Sequence, residues 1–334
     1  VDSRNLYFTS VGIAIFLVGL LKLLTGEKIK TFLILTSAIL ILNIYWLNSN
    51  ISNFVKVGII RKNILDKIIA NYPVLPRKVI FYTESDISYY GLLETEKVMP
   101  FQSGFGQTLL VWYNESQLFP GEFYQNKFLW DISSQGYKEI DGRGFGYFRN
   151  FENMVDTLEN YNLPLSSVIA FRYDSKDNSL EDMSQEIRGR IKGYLVDKKL
   201  VDRRSYSLAS SINNKDSYLA NDGNIETFWD SKLPYANSQY LEVSLETKTK
   251  IAQIQIDSYN NKDQNKVGYR LSIEGENGNW GKVFYAKRYP PSKDGIVNLY
   301  FDPKYTKRVK IEQIGYHTFA TWVIHELRIY EKIN

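Results

Sequence analysis

The sequence predicts a multi-domain protein with two transmembrane helices, a small α/β domain and a C-terminal all-β sandwich. Three observations lead to this prediction. The first fifty residues contain two long apolar runs, the middle alternates short β-rich segments with amphipathic helices, and residues 205–334 alternate apolar with polar positions. A chain of 334 residues is long enough for two or three separate cores.

Residues 1–50 are expected to form a transmembrane helical hairpin. The predicted spans are 6–24, with only Lys22 charged, and 31–47, with no charge at all. Their lengths of 19 and 17 residues are close to the roughly 20 that cross a bilayer. A buried helical hairpin of a soluble protein is the alternative interpretation.

The charges near the spans bear on orientation. The basic residues slightly favour a cytoplasmic C-terminal region, because more of them lie on the side of the two chain ends than on the hinge side. The nature of the C-terminal domain leads us to expect the opposite, with the bulk of the chain outside the cytoplasm. Since Val1 is not a methionine and no cleavable leader precedes the first span, we expect this chain to be the C-terminal part of a longer polytopic envelope protein.

A membrane-proximal helix is predicted over 51–73. Its apolar residues recur at helical spacing between Phe54 and Ile68, and Pro73 and Pro76 follow.

An α/β domain is predicted over 74–197. Its strands are 78–83, 108–113 and 167–173, and its helices carry two apolar faces, one over 151–158 and one over 180–195, with Ser179 and Asp182 at capping-box spacing.

No catalytic constellation is recognisable in this chain. The absence of Cys excludes a thiol nucleophile, and the two His, at 317 and 325, do not suffice for a structural zinc site. The glycines of 104–106 and 142–146 are predicted to form turns, and Glu84 and Asp86 to lie in a solvated loop or helix cap. A net charge of +4 gives no basic footprint for nucleic acid.

Residues 198–204 are predicted to be a charged linker, and residues 205–334 a β-sandwich. Short strands with one apolar face, such as Leu241, Val243 and Leu245, alternate with polar positions. The motifs occur in a fixed order: A-N-D-G-N-I-E-T-F-W over 220–229, N-W at 279–280, and W-V-I-H-E-L-R-I-Y over 322–330. In these motifs the region resembles the discoidin, or coagulation-factor type C, domain, the jelly-roll sandwich shared by one large family of carbohydrate-binding modules.

This resemblance implies a structural calcium ion. Its ligands would be Asp222, Thr227 and Glu326, with Asn224 lending its carbonyl oxygen. Hard oxygen ligands of this kind suit Ca²⁺. A metal-free turn closed by side-chain hydrogen bonds is the alternative.

The resemblance also implies a ligand site on the loops at one end of the sandwich. Candidates for stacking on a sugar or bonding its hydroxyl groups are Trp280, Arg288, Tyr289, Asn237, Tyr259 and His317. Trp229 and Trp322 are expected in the core, because they lie inside the motifs. The loop around Tyr259 is otherwise polar, which argues against a strong galactose-type site.

The expected function is glycan binding by a membrane-anchored protein of the cell envelope. The expected partners are the lipid bilayer and a cell-surface glycan. Residues 1–197 also resemble, in architecture alone, the tail of a polytopic prokaryotic lipid-linked-sugar glycosyltransferase. An accessory role in such an enzyme, with its active site upstream, and docking of a neighbouring protein without sugar are the two alternatives.

Overall fold

The computed structural model describes residues 6–86, 104–125, 136–234, 239–258, 268–286, 295–315 and 320–333. The chain divides into two compact units, Val1–Asn63 and Ile64–Asn334. The second unit contains both the α/β domain and the C-terminal sandwich.

Two helices begin the chain, α1 (Leu6–Thr25) and α2 (Ile29–Asn71). Helix α2 is long and apolar enough to cross a membrane: its most apolar 18 residues have a mean hydropathy of 1.7, and none of them is buried. Over the residues whose side chains are described, α1 provides only the shorter apolar stretch Ile13–Thr25. Within the part of the chain whose side chains are described, one helix is therefore long and apolar enough to cross a membrane, whereas the sequence predicted two spans.

Helix α2 also differs from the prediction in its length. The predicted second span and the predicted membrane-proximal helix over 51–73 are parts of this one helix. No proline occurs between Ile29 and Asn71, and the helix ends just before Pro73, so the chain contains no strong helix breaker where a boundary was expected.

The α/β domain consists of β1 (Lys78–Ser85), α3 (Phe105–Gln117), α4 (Glu122–Gln125), β2 (Gly136–Ile140), β3 (Arg143–Phe148), α5 (Phe151–Asn160), β4 (Val168–Asp174), β5 (Ser179–Asp182) and α6 (Ser184–Leu195). Its strands form one mixed sheet in the order β2-β3-β1-β4-β5. Strand β1 lies at the centre and is parallel to both β3 and β4, and antiparallel pairings add β2 and β5 at the edges.

Helices cover both faces of this sheet. On one face, Met154 and Val155 of α5 and Ile187 of α6 share a core with Ile80 of β1. On the other face, Tyr113 of α3 packs its ring 6.2 Å from that of Phe81. Because successive residues of β1 are buried on opposite faces, its run of apolar residues is continuous.

The segment 108–113, predicted as a strand, lies inside α3. In this helix the buried residues Phe105, Leu109 and Tyr113 are spaced four apart, which is helical periodicity. The β-branched and aromatic composition of the segment favoured a strand, but burial of one helical stripe against the sheet decides its conformation. Gly104, predicted to lie in a turn, precedes the helix in a left-handed conformation.

Two further local predictions are corrected. Residues 179–182 form β5 instead of opening a helix, and α6 begins at Ser184, whose N–H donates to Asp182 Oδ1 at 2.9 Å. Of the turn predicted over 142–146, only Gly142 lies in a turn, which it forms together with Asp141; both residues have positive φ. Gly144 lies in β3, where a Cβ would come within 1.8 Å of the Tyr137 hydroxyl oxygen.

The C-terminal domain is all-β over its described residues, apart from short 3₁₀ turns. Its strands are β6 (Lys198–Leu200), β7 (Tyr206–Ser210), β8 (Trp229–Pro234), β9 (Tyr240–Asp257), β10 (Gly268–Glu274), β11 (Trp280–Ala286), β12 (Ile296–Ile314), β13 (Thr321–Ile324) and β14 (Glu326–Lys332). The main sheet has the order β11-β10-β12-β9-β14-β6, with β7 also paired to β9, and β8 and β13 form a separate pair.

Two long strands connect the two layers of this sandwich. The antiparallel partners β9 and β12 change register twice, between Tyr300 and Lys304 and between Thr306 and Arg308. On one side of these irregularities β9 pairs with β7 and β12 with β10; on the other side β9 pairs with β14. Irregularities of this kind let a strand pass from one layer to the other. As predicted, Trp229 and Trp322 are fully buried in the core between the layers.

The predicted linker 198–204 contains β6, which pairs with β14 at the edge of the sandwich. Helix α6 also lies against the sandwich: a Cβ on Gly193 would be 2.1 Å from the backbone oxygen of Phe301. The α/β domain and the sandwich are therefore packed against each other, and not merely tethered.

Candidate functional site

The turn that follows the 3₁₀ segment Asn214–Asn221 holds the predicted calcium ligands. Asp222 accepts two hydrogen bonds, from the Asn224 N–H at 2.9 Å and from the Thr227 hydroxyl at 2.6 Å. The Thr227 oxygen also lies 2.8 Å from the Asn224 carbonyl oxygen. Three of the four predicted ligands therefore meet within one turn.

Glu326 reaches this turn from the start of β14. Its Oε1 accepts a hydrogen bond of 2.7 Å from the Gly223 N–H, and the residue is buried. Burial raises the pKa of the Glu326 carboxyl above its ordinary value, and the negative charge of Asp222 adds to the rise, although the bond from Gly223 opposes it. The structure thus brings all four predicted residues together.

Arg203 lies across the same turn. Its guanidinium donates to the carbonyl oxygen of Asp222 and packs directly on Gly223, where a Cβ would lie 1.2 Å from Nη1. Gly223 has a φ of 81°, a conformation that favours glycine. A positive charge of the chain therefore already contacts the acidic turn, a contact that the sequence analysis did not predict.

These residues fit calcium in their chemistry. Two carboxylates, a hydroxyl and a carbonyl oxygen are hard oxygen donors, and a buried carboxylate with a raised pKa beside a second carboxylate is stabilised by a cation. Within the described residues no group of three or more His, Cys, Asp or Glu side chains is placed to hold a metal ion. Any calcium site here would depend on hydroxyl and carbonyl oxygens for part of its shell.

Five of the six predicted sugar-contact residues lie outside the described residues; these are Asn237, Tyr259, Arg288, Tyr289 and His317. The described residues that flank their segments can still be placed. Gly268 pairs with Ile314, and Tyr269 with both Gln313 and Ala286. The Gln313 N–H donates to the Gln239 carbonyl oxygen at 3.2 Å. These pairings bring the described ends of four strands to one edge of the sandwich, which we call the loop edge, defined by Gln239, Gly268, Ala286, Gln313 and Ile314.

Trp280, the sixth candidate, lies at the opposite end of β11 from this edge. It pairs with Glu274, whereas Ala286 at the other end pairs with Tyr269. Six residue steps along the strand separate the two positions, about 20 Å. The ring of Trp280 is covered by cations instead, with Lys310 Nζ at 4.4 Å from its centroid. Its assignment to the same sugar site is therefore not supported by the geometry.

Gln313 is a residue that the sequence analysis overlooked. The inward positions of β12 read Val309, Ile311 and then Gln313, which is 2 % exposed. A polar residue at an apolar position of the alternation was the signal that could have identified it.

The comparison with protein families bears on residues 205–327, which match the model of the F5/8 type C domain. The C-terminal sandwich is an F5/8 type C domain. This confirms the resemblance found in the sequence. The comparison with curated proteins returned no match to this chain.

Several solved structures are similar to this region. The family 32 carbohydrate-binding module of Clostridium perfringens NanJ, in complex with galactose, is 23% identical, covers 40% of this chain and 100% of its own, and has a TM-score of 0.34. A family 32 module of the C. perfringens protein CpGH89, in complex with GalNAc-β-1,3-galactose, is 16% identical over 39% of this chain and 99% of its own, with a TM-score of 0.33. Both TM-scores are below 0.5.

Proposed function

We propose that this chain is a membrane-anchored protein whose F5/8 type C domain binds a glycan outside the cytoplasm. The observation that carries the proposal is the match of residues 205–327 to this domain family, together with the convergence of four loop-flanking strand ends at the loop edge. Five of the predicted sugar-contact residues lie in segments of the sequence that adjoin these strands, outside the described residues. An edge where loops converge can present planar polar and aromatic side chains to a sugar.

A glycan array tests this function directly. The full chain, purified in mild detergent, is expected to bind a subset of glycans, and Arg288→Ala and Tyr289→Ala are expected to reduce that binding. Trp280→Ala is the matched control, because Trp280 lies at the far end of β11. Absence of binding to every glycan would overturn the proposal and favour the docking of a protein partner.

Membrane anchoring is supported by α2, whose most apolar stretch is not buried. Protease added to intact, sealed cells that express the chain is expected to remove the F5/8 type C domain while leaving a cytoplasmic control protein whole. Protection of the domain until the cells are permeabilised would place it in the cytoplasm, in agreement with the charge count and against the proposal.

A calcium ion is the further component that we propose. Asp222, Thr227 and Glu326, with the Asn224 carbonyl, would hold it and tie β14 to the turn before β8. Calcium is expected to raise the melting temperature of the wild-type chain but not that of Glu326→Gln. An equal melting temperature in calcium and in EDTA would indicate that hydrogen bonds and Arg203 alone close the turn.

A further inference from the structure

We propose that the buried side chain of Gln313 is the floor of the glycan site, where it hydrogen-bonds a hydroxyl group of a neutral sugar. This inference rests on the proposed glycan-binding function and goes beyond it, because it names a residue of the sandwich interior and a class of sugar.

Gln313 carries an unsatisfied amide. The residue is 2 % exposed, and neither its Nε2 nor its Oε1 has a hydrogen-bond partner among the described residues. Exchanging the two atoms by a flip of the amide does not help, since both are unpartnered. Buried polar side chains nearly always find partners, and an unmade hydrogen bond destabilises a protein. A partner from outside the described chain therefore fits this position.

A neighbouring group shares this property. Gln239 Oε1 is buried and also lacks a partner among the described residues. Gln239 adjoins Gln313 through the backbone hydrogen bond of 3.2 Å.

The chemistry of these groups indicates the ligand. Gln313 Nε2 is a donor, whereas Gln313 Oε1 and Gln239 Oε1 are acceptors. A sugar hydroxyl both donates and accepts, so it can satisfy such a mixed set, whereas a carboxylate or a sulfate could use only the donor. Neither side chain is charged. The set therefore matches a neutral sugar better than an acidic one.

The position of the set is also appropriate. Gln313 and Gln239 belong to the loop edge, whose strands adjoin the sequence segments that hold the predicted sugar-contact residues. A buried water molecule is the competing occupant, because it can also donate and accept. If water is the occupant, removal of the amide should lower the melting temperature of the free protein. If a sugar is the occupant, removal should weaken glycan binding instead.

The test compares two buried glutamines in the full chain in detergent. Gln313→Leu and the unbranched Gln313→Met remove the unpartnered amide. Gln253→Leu is the matched control, because Gln253 is also buried but donates to Asn298 Oδ1 at 2.9 Å. Each variant is assayed on one array of neutral and acidic glycans, and its melting temperature is measured without ligand.

We expect both Gln313 variants to bind neutral glycans about tenfold or more weakly, while their melting temperatures stay equal or rise by about 2–4 °C. Gln253→Leu should melt earlier and keep its affinity. Any of three results would overturn this inference alone. The first is unchanged binding by the Gln313 variants, and the second is wild-type binding to acidic glycans only. The third is a lower melting temperature of both Gln313 variants, which loss of a structural water predicts. Failure of the wild type to bind any glycan would overturn the proposed function and this inference together.

Discussion

Arg190 of α6 donates a hydrogen bond of 2.7 Å to the backbone carbonyl oxygen of Tyr285 in β11, and so joins the α/β domain to the F5/8 type C domain. The same guanidinium lies 4.0 Å from the ring centroid of Phe284 and pairs with Glu84 at 2.6 Å. Arg172 also donates to the Tyr285 carbonyl and pairs with Glu186 at 3.2 Å. Arg190 is 2% exposed and Arg172 is 3% exposed, so this network is buried at the junction of the domains.

Removal of one charge from this network should be strongly destabilising. Arg190→Met leaves Glu84 and Glu186 without their closest cation, and loss of one partner of a buried pair typically costs about 3–5 kcal/mol. Arg308→Met is the matched control: Arg308 also pairs with two glutamates, but its side chain is 41% exposed. Its replacement should cost less than about 1 kcal/mol. Chemical denaturation measures both values, and equal costs would show that burial of the network contributes little.

The same network gives the stability a defined pH dependence. Burial by itself would raise the pKa of Glu186, but the charges of Arg190 and Arg172 outweigh it, so that the pKa lies below its ordinary value. A lowered carboxyl pKa in the folded state adds stability above the unfolded pKa of about 4.3, and this is lost as the pH falls through the folded pKa. Glu186→Gln should therefore be less stable at pH 7 and should lose less on acidification below pH 4. Parallel losses in the two proteins would contradict this.

Gly193 shows how closely the two domains approach. A Cβ at this position would lie 2.1 Å from Phe301 O and 2.9 Å from Ala252 O, both rigid backbone atoms. Gly193→Ala must therefore move α6 away from β9 and β12, at a cost of about 2 kcal/mol or more. Gly281→Ala in β11, where a new Cβ would meet nothing within 4 Å, should be neutral or slightly stabilising. A small effect of Gly193→Ala on the melting temperature would show that the junction is loosely packed.

The sequence predicts the β-sandwich of this protein better than the contacts between its domains. Alternation in 241–245 and the order of motifs around Trp229 and Trp322 predicted the sandwich, because a strand with one buried face has an unmistakable period. The strand predicted over 108–113 was wrong, because composition outweighed the four-residue spacing of its buried side chains.

The contacts between domains could not be predicted in this way. Glu84 was expected in a solvated loop or helix cap, yet it lies in β1 and pairs with Arg190, which lies 106 residues later in the chain. No local pattern records such a pairing. The acidic turn was predicted as a group from its motif, but the contact of Arg203 with Gly223 depends on the path of the chain into β7.

Gly223 offers the last test, because it separates the cost of backbone conformation from the contact with Arg203. Gly223 and Gly278 have φ values of 81° and 73°, so alanine at either position should cost about 1 kcal/mol in the left-handed conformation. A Cβ on Gly278 meets nothing within 4 Å, whereas one on Gly223 displaces the Arg203 guanidinium from the Asp222 carbonyl.

We therefore expect Gly223→Ala to destabilise the chain more than Gly278→Ala, by about 1 kcal/mol for the lost hydrogen bond. In the Arg203→Ala background this excess should vanish, which a double-mutant cycle measured by chemical denaturation would show. An excess that persists without Arg203 would mean that the methyl group acts on Glu326 and its hydrogen bond to the Gly223 N–H, and not on the arginine.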